Sequence, residues 1–178
     1  MTYIILAIII LFVLIITGIL VKTKRKLQFI MIKINEAESN IDISLEKKYD
    51  LLDRSKPLVN DELNIMTFLS DLEKLKEKDL SQREEHNLLK DYYDQLFKEI
   101  DDHEKLLSNE ELISLTNSLN KNEVDLVAAV KYYNDNSTKL NDLIQTFPAN
   151  IIRVFMGIRK KEFYSNEKRE LYEILKQE

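Results

Sequence analysis

The chain has 178 residues, a formal net charge of −5 at pH 7 and no cysteine. The lack of cysteine excludes disulfides, thiolate metal sites and a cysteine nucleophile. The mildly acidic, mixed charge argues against a general nucleic-acid-binding protein, because such proteins need a clustered basic surface.

The first segment, residues 2–21, is an uncharged apolar run. About 20 apolar residues are needed for a helix to cross a bilayer. The run lacks the basic lead-in and the small-residue cleavage site of a secretory signal peptide, so we expect residues 1–21 to remain as a single transmembrane anchor. Basic residues follow the run and none precedes it: Lys22, Lys24, Arg25 and Lys26. The positive-inside rule then predicts a cell-membrane protein with its N-terminus outside and its C-terminal domain in the cytoplasm.

The pattern beyond the anchor predicts that the same helix continues. Apolar residues recur there at steps of three and four, which is one face of a helix: Leu27, Ile30, Ile34, Ala37, Ile41 and Leu45. A residue that precedes proline is pushed out of helical geometry, so we predict that this helix ends near Ser55 and that Lys56-Pro57 forms a turn. A second helix is predicted from about Leu58 to Lys78.

Two further helices are predicted from capping boxes, in which a Ser side chain and a Glu three residues later satisfy free backbone N–H groups. Ser81 with Glu84 opens a third helix that runs to about Leu107. Ser108 with Glu111 opens a fourth, whose coiled-coil-like stripe in a/d spacing runs to Phe147, before Pro148. Short links make successive helices antiparallel. We therefore predict an all-α fold: a transmembrane helix continuing into an antiparallel bundle of four long helices over residues 22–163, and a polar tail over residues 164–178.

Asn122 and Asn136 interrupt the apolar stripe of the fourth helix. A polar residue at a core position specifies register and partner in coiled coils. The stripe therefore either meets another protein or a second copy of the chain, or pairs its polar groups with the first helix. We favour the intramolecular pairing.

Two motifs of the chain resemble the signatures of the LemA family. The first is carried by Glu36-Ala37, residues 41–45 and residues 49–52; the second by Glu123, Leu126, Tyr133-Asn134 and Phe147-Pro148. The resemblance implies a bacterial membrane protein with an N-terminal anchor, a helical bundle and no defined enzymatic activity. Several positions depart from the family pattern: Lys48 and Val130 replace arginines, Glu38 replaces a tryptophan, and Asp53-Arg54 replace a Pro-Asn pair.

The resemblance and the polar residues near these motifs suggest a charged cluster between helices. The candidate interface or interior cluster comprises Glu36, Asp42, Lys48, Asp50, Glu123, Tyr133 and Asn134. A di-iron bundle would need Glu-x-x-His motifs, and neither His86 nor His103 has a Glu at that spacing. A carboxylate-only divalent site is a minor alternative, since hard cations need several converging oxygens. We expect no cofactor, no metal and no catalytic residue.

The segment of residues 150–163 mixes apolar side chains with cations, as segments at a membrane surface do. Its cations are Arg153, Arg159, Lys160 and Lys161. The direction of the fourth helix would return this segment to the bilayer, beside Lys22 to Lys26. We expect it either to lie on the membrane or to cap the bundle core.

The sequence therefore predicts a non-enzymatic scaffold or adaptor that is anchored in the lipid bilayer and binds a protein partner, or a copy of itself, through its helix faces. The alternatives are a bundle that senses a ligand or ion and a membrane-shaping component that self-assembles. No nucleic-acid partner or small-molecule substrate is indicated.

Overall fold

The computed structural model describes residues 1–65, 68–75 and 80–164. It contains four α-helices, which are α1 (Thr2–Leu63), α2 (Gln82–Asp102), α3 (Glu110–Leu143) and α4 (Ala149–Phe155), with 3-10 turns at Glu73–Leu75 and Glu104–Ser108. The predicted all-α fold, with one long apolar N-terminal helix, is confirmed. Among the described helices, α1 alone is long and apolar enough to cross a membrane; its most apolar 18-residue window has a mean hydropathy of 3.5 and is 0% buried.

The chain divides into two compact units. The terminal unit comprises Met1–Ala37 and Lys131–Glu178, and the central unit comprises Glu38–Val130. Helices α1 and α3 each contribute a segment to both units, and the units are described separately below.

In the central unit, the C-terminal part of α1 packs parallel to α2. Near the start of α2, the Gln82 Nε2 donates to the Glu38 carbonyl over 3.0 Å; further along both helices, the Lys48 Nζ lies 4.8 Å from the centre of the Tyr93 ring. The short link between α2 and α3 reverses the chain, so α3 runs antiparallel to both. Leucines from all three helices form the core: Leu45, Leu52, Leu89, Leu96, Leu112 and Leu119.

The predicted turn at Lys56-Pro57 is wrong, because α1 continues through Pro57 to Leu63. A proline inside a helix loses one backbone hydrogen bond at a cost of roughly 3 kcal/mol. Burial of the apolar side chains on either side, Leu51, Leu52 and Val59, offsets this cost. The helix ends where Asn64 adopts a left-handed φ of 54°, and the Ile65 N–H reaches back to the Asn60 carbonyl over 3.0 Å, as in a Schellman cap.

The predicted helix over residues 58–78 is also wrong in its described part. After α1 the chain forms turns in which Leu72 donates to Leu69, and Leu75 to Leu72, over 3.0 and 3.1 Å. These i→i+3 bonds place a buried leucine at every third position. The three-residue spacing of Leu69, Leu72 and Leu75 is interpreted from the sequence as one face of an α-helix, but it results from these tight turns. Residues 66–67 and 76–79 lie outside the described residues.

The Ser81–Glu84 capping box is confirmed at the start of α2. The helix ends at Asp102 rather than Leu107, because His103 is extended at a φ of −133°. The second predicted box is replaced by another cap: the Asn109 Oδ1 accepts from the Leu112 N–H over 3.0 Å, while the Ser108 hydroxyl donates to the Lys105 carbonyl. An Asn side chain caps a helix as well as Ser does.

Helix α3 ends at Leu143, four residues before the predicted end, so Phe147 does not extend its stripe and is 78% exposed. In the terminal unit, α4 then ends in a Schellman motif. The Gly157 N–H donates to the Val154 carbonyl over 3.2 Å, and the Ile158 N–H to the Arg153 carbonyl over 2.9 Å. Gly157 has a φ of 65°, a conformation that non-glycine residues adopt only at a cost.

Replacing Gly157 with alanine is therefore expected to lower the free energy of unfolding by about 1 kcal/mol, since a Cβ disfavours the left-handed conformation. Gly157→Asn is the matched control, because asparagine tolerates this conformation better. Chemical unfolding of the full chain in detergent, followed by helical circular dichroism, measures both. Equal stability of the alanine variant and the unmodified chain would contradict the motif.

Candidate functional site

The strongest polar contact of the central unit joins Lys48 of α1 to Glu123 of α3. Their Nζ and Oε2 atoms lie 2.6 Å apart, and the side chains are 1% and 24% exposed. The Tyr93 ring of α2 faces the same ammonium group at 4.8 Å, and its hydroxyl donates to the Asn120 Oδ1 over 2.6 Å. A buried ammonium is tolerated because a carboxylate and an aromatic face replace its water.

We call Lys48, Glu123, Tyr93 and Asn120 the lysine cluster. The structure brings two of the sequence candidates, Lys48 and Glu123, together in it. Tyr93 and Asn120 were not identified from the sequence, because their positions on α2 and α3 fall beside the apolar stripes rather than on them. The signal that could have indicated them is Lys48 itself, because a lysine on the buried face of a helix needs more than one partner.

Three other candidates, Glu36, Asp42 and Asp50, are exposed. They therefore do not lie in the interior, which was one of the two positions predicted for the cluster; the alternative of an interface stays a prediction. The buried face of α1 is marked by Ala37, Ile41, Leu45, Lys48 and Leu52. On a helix with 3.6 residues per turn, the three acids lie to the side of that face or beyond it.

Asp42 contacts α2 at the surface, where its Oδ1 accepts from the Gln82 side chain. Among the described residues, no group of three or more His, Asp or Glu is placed to hold a metal ion.

Burial and nearby charges shift the pKa values of Tyr93, a member of the lysine cluster, and of the neighbouring His86. Burial lowers the pKa of His86, and the positive charge of Lys48 acts in the same direction. Burial also raises the pKa of Tyr93, and the charge of Glu123 adds to the effect. Both groups are therefore neutral near pH 7, which leaves the Lys48–Glu123 pair as the charged element of the cluster.

The burial of Lys48 limits what the cluster can do chemically. With 1% of the Lys48 side chain exposed, a substrate cannot reach the Nζ atom while the helices are packed. What the arrangement does is fix how α1, α2 and α3 of this unit face one another. A hydrogen bond from the Asn122 Nδ2 to the Ser44 carbonyl, over 2.9 Å, fixes the same register. This is the favoured intramolecular role for Asn122.

The candidates Tyr133 and Asn134 have a different role, in the terminal unit. The Asn134 Oδ1 accepts from the Tyr164 N–H over 3.0 Å, and the rings of Tyr133 and Tyr164 meet edge to face at 5.0 Å. Further along α3, Asn141 accepts from the Lys161 N–H and donates to its carbonyl, over 2.9 and 2.8 Å. Asparagines of α3 thus hold the returning chain segment.

Residues 158–164, which we call the strap, are that returning segment. Its apolar residues Ile158 and Phe163 are buried. The strap therefore caps the core of the terminal unit, which is one of the two alternatives predicted for residues 150–163. The other alternative, contact with the membrane, stays a prediction for α4, which keeps an apolar face in solvent. That face consists of Ile151, Val154 and Phe155, and the adjacent Phe147 is also exposed.

Most of the predicted membrane-surface cations are exposed. Lys22, Lys24, Arg25, Lys26, Arg159 and Lys160 are exposed, whereas Arg153 and Lys161 are half-buried. Of the predicted polar tail, Tyr164 alone belongs to the described residues, and residues 165–178 lie outside them.

Comparison with known proteins identifies one family. The model of the LemA family matches residues 37–175, which is most of the chain. Searches of curated proteins and of solved structures give no significant match. The family match begins after the apolar run and includes the lysine cluster, α4 and the strap. The chain belongs to the LemA family.

Proposed function

We propose that this protein is a non-enzymatic, membrane-anchored scaffold that presents helix faces to membrane-associated partners. The span would be the apolar run of α1, residues 2–21, whose side chains are all exposed. A fully exposed apolar run of this length is unfavourable in water and favourable in a bilayer. The exposure of residues 2–21 therefore supports their role as a membrane anchor.

The proposed orientation places the domain in the cytoplasm. The four cations after the run, from Lys22 to Lys26, are exposed and carry the positive-inside signal. They lie where lipid headgroups would surround them, since Lys26 is about 7 Å beyond Val21 along the helix.

The observation that carries the scaffold role is the contrast between a closed interior and an apolar exterior in the central unit. The Lys48 ammonium of the lysine cluster is buried and paired, which disfavours the alternative of an interior ligand sensor. On the outside of α3, Val124 and Val127 are 69% and 57% exposed and one turn apart. Two adjacent exposed valines on a rigid helix offer a small apolar contact surface.

The proposal is tested by photo-crosslinking in cells. A photoreactive amino acid at Val124 is expected to give a covalent product with a defined membrane-associated protein, identified by mass spectrometry. The matched control is the same probe at Asp94, an exposed polar position on α2. A product that contains only a second copy of the chain would instead indicate self-assembly. Equal yields at Val124 and Asp94 would contradict the proposed contact surface.

A further inference from the structure

A groove in the terminal unit lies between α1 and the C-terminal end of α3. Its volume is about 610 Å³, and its lining includes Lys26, Phe29 and Lys33 from α1, with Lys139, Leu143 and Thr146 from α3 and the turn after it. We call it the lysine groove. The lining is partly apolar and partly cationic, because the Phe29 ring and Leu143 lie beside the side chains of three lysines.

The charge of the lysine groove is only partly offset by the residues that line it. Its lining contains one carboxylate, Asp142. Among the described residues, none of the three lysines forms an ion pair; the Lys33 ammonium lies instead 4.5 Å from the centre of the Phe29 ring. Converging cations in a concave site focus a positive potential and attract an anion.

The position of the groove along α1 indicates which anion. Lys26 is five residues beyond Val21, or about 7 Å of helix, and Lys33 is about 18 Å beyond it. The headgroup layer extends roughly 5–8 Å from each side of the hydrocarbon core. If α1 crosses the bilayer, the lower end of the groove therefore lies at the outer edge of the headgroup layer, and its upper end lies about 10 Å farther out.

A second, independent observation also points to a lipid surface. Phe147, which follows the groove residue Thr146, is 78% exposed, and Phe155 of α4 is 87% exposed. Exposed aromatic and aliphatic side chains next to cations are typical of segments that lie in a membrane interface. Contact of this apolar face with the bilayer would hold the mouth of the groove against the headgroups.

We propose that the lysine groove binds the phosphate-bearing headgroup of an anionic phospholipid, with the acyl chains remaining in the leaflet beside α1. The proposal rests on the proposed membrane anchoring. The three ammonium groups supply charge, and the side chains of Asn136 and Thr146, which also line the groove, supply uncharged polar groups. Phe29 and Leu143 supply the apolar walls of the groove beside the bound headgroup.

Native mass spectrometry of the full chain in detergent tests the proposal with defined lipids. Phosphatidylglycerol is expected to bind at least about tenfold more tightly than phosphatidylcholine, since each cation near anionic lipid adds to the attraction. The triple variant Lys26→Gln, Lys33→Gln and Lys139→Gln is expected to lose most of this preference. The matched control, Lys22→Gln, Lys24→Gln and Arg25→Gln, removes the same charge outside the groove and should lose much less of the preference, because these cations attract the lipid without lining the groove.

Three outcomes would overturn the proposal. The first is equal binding of the two lipids, and the second is an equal loss in both triple variants, which would indicate attraction without a site. The third is displacement of phosphatidylglycerol by millimolar inorganic phosphate, which would mean that the groove reads a free anion. Carbonate extraction of cell membranes reports the anchor separately, because release of the chain would refute the anchoring while leaving lipid binding in detergent to be judged by itself.

Discussion

Replacing Glu123 with leucine is expected to lower the free energy of unfolding by about 3–5 kcal/mol, because the change leaves a buried ammonium without its carboxylate. Lys48 is 1% exposed and its Nζ lies 2.6 Å from the Glu123 Oε2. The neighbouring Tyr93 ring cannot by itself replace the lost charge partner. Chemical unfolding of the full chain in detergent, followed by circular dichroism, measures the effect.

The opposite substitution, Lys48→Met, serves as the control. Methionine fills a similar volume without a charge, and Glu123, at 24% exposed, retains access to water. We expect a change of less than about 1 kcal/mol, since replacing buried charges with apolar groups is often neutral. A Glu123→Leu variant as stable as Lys48→Met would show that the pair is hydrated and does not order the helices.

Replacing Asn141 with alanine is expected to cost about 2–3 kcal/mol and to release the strap. The fully buried Asn141 side chain pairs with both backbone groups of Lys161, and each polar group left buried without a partner costs about 1–3 kcal/mol. The strap carries Arg159, Lys160 and Lys161, so limited proteolysis with trypsin reports its release as faster cleavage.

The matched control is Asn117→Ala, an exposed position on the same helix. It should leave both the stability and the cleavage rate within experimental error of the unmodified chain. Unchanged cleavage in the Asn141 variant would mean that the strap is held by Ile158 and Phe163 alone.

Features set by local chemistry were predictable from the sequence. The Ser81–Glu84 box needs residues within one turn, and it forms as expected. The burial of Leu112, Leu119, Leu126 and Leu140 follows from their heptad spacing on α3. Apart from Glu36, the two motifs that resemble the LemA signatures also fall in the region matched by the family model.

Features set by tertiary packing were not predictable. Pro57 is a helix breaker by local rules, yet α1 continues because the residues around it are buried. Turns bury Leu69, Leu72 and Leu75 with a spacing that a helix also produces. The strap depends on Asn141, whose partner is 20 residues away along the chain; neither residue carries a sequence signal for that pairing.

The candidate site also contains predictable and unpredictable features. Lys48 and Glu123 were proposed together through their place in two family-like motifs, and the structure pairs them. The acids Asp42 and Asp50 belong to the first of those motifs but lie on the surface. A motif gives the identity of neighbouring residues, whereas only the helix register decides which of them face inward.

We propose that residues 2–21 span the membrane and place the remaining chain in the cytoplasm. Because the chain contains no cysteine, a single introduced thiol reports its own location. In intact cells treated with a membrane-impermeant maleimide, Thr2→Cys is expected to be labelled, whereas Asn117→Cys is expected to react only after the cells are permeabilised. Labelling of Asn117→Cys in intact cells would contradict the account.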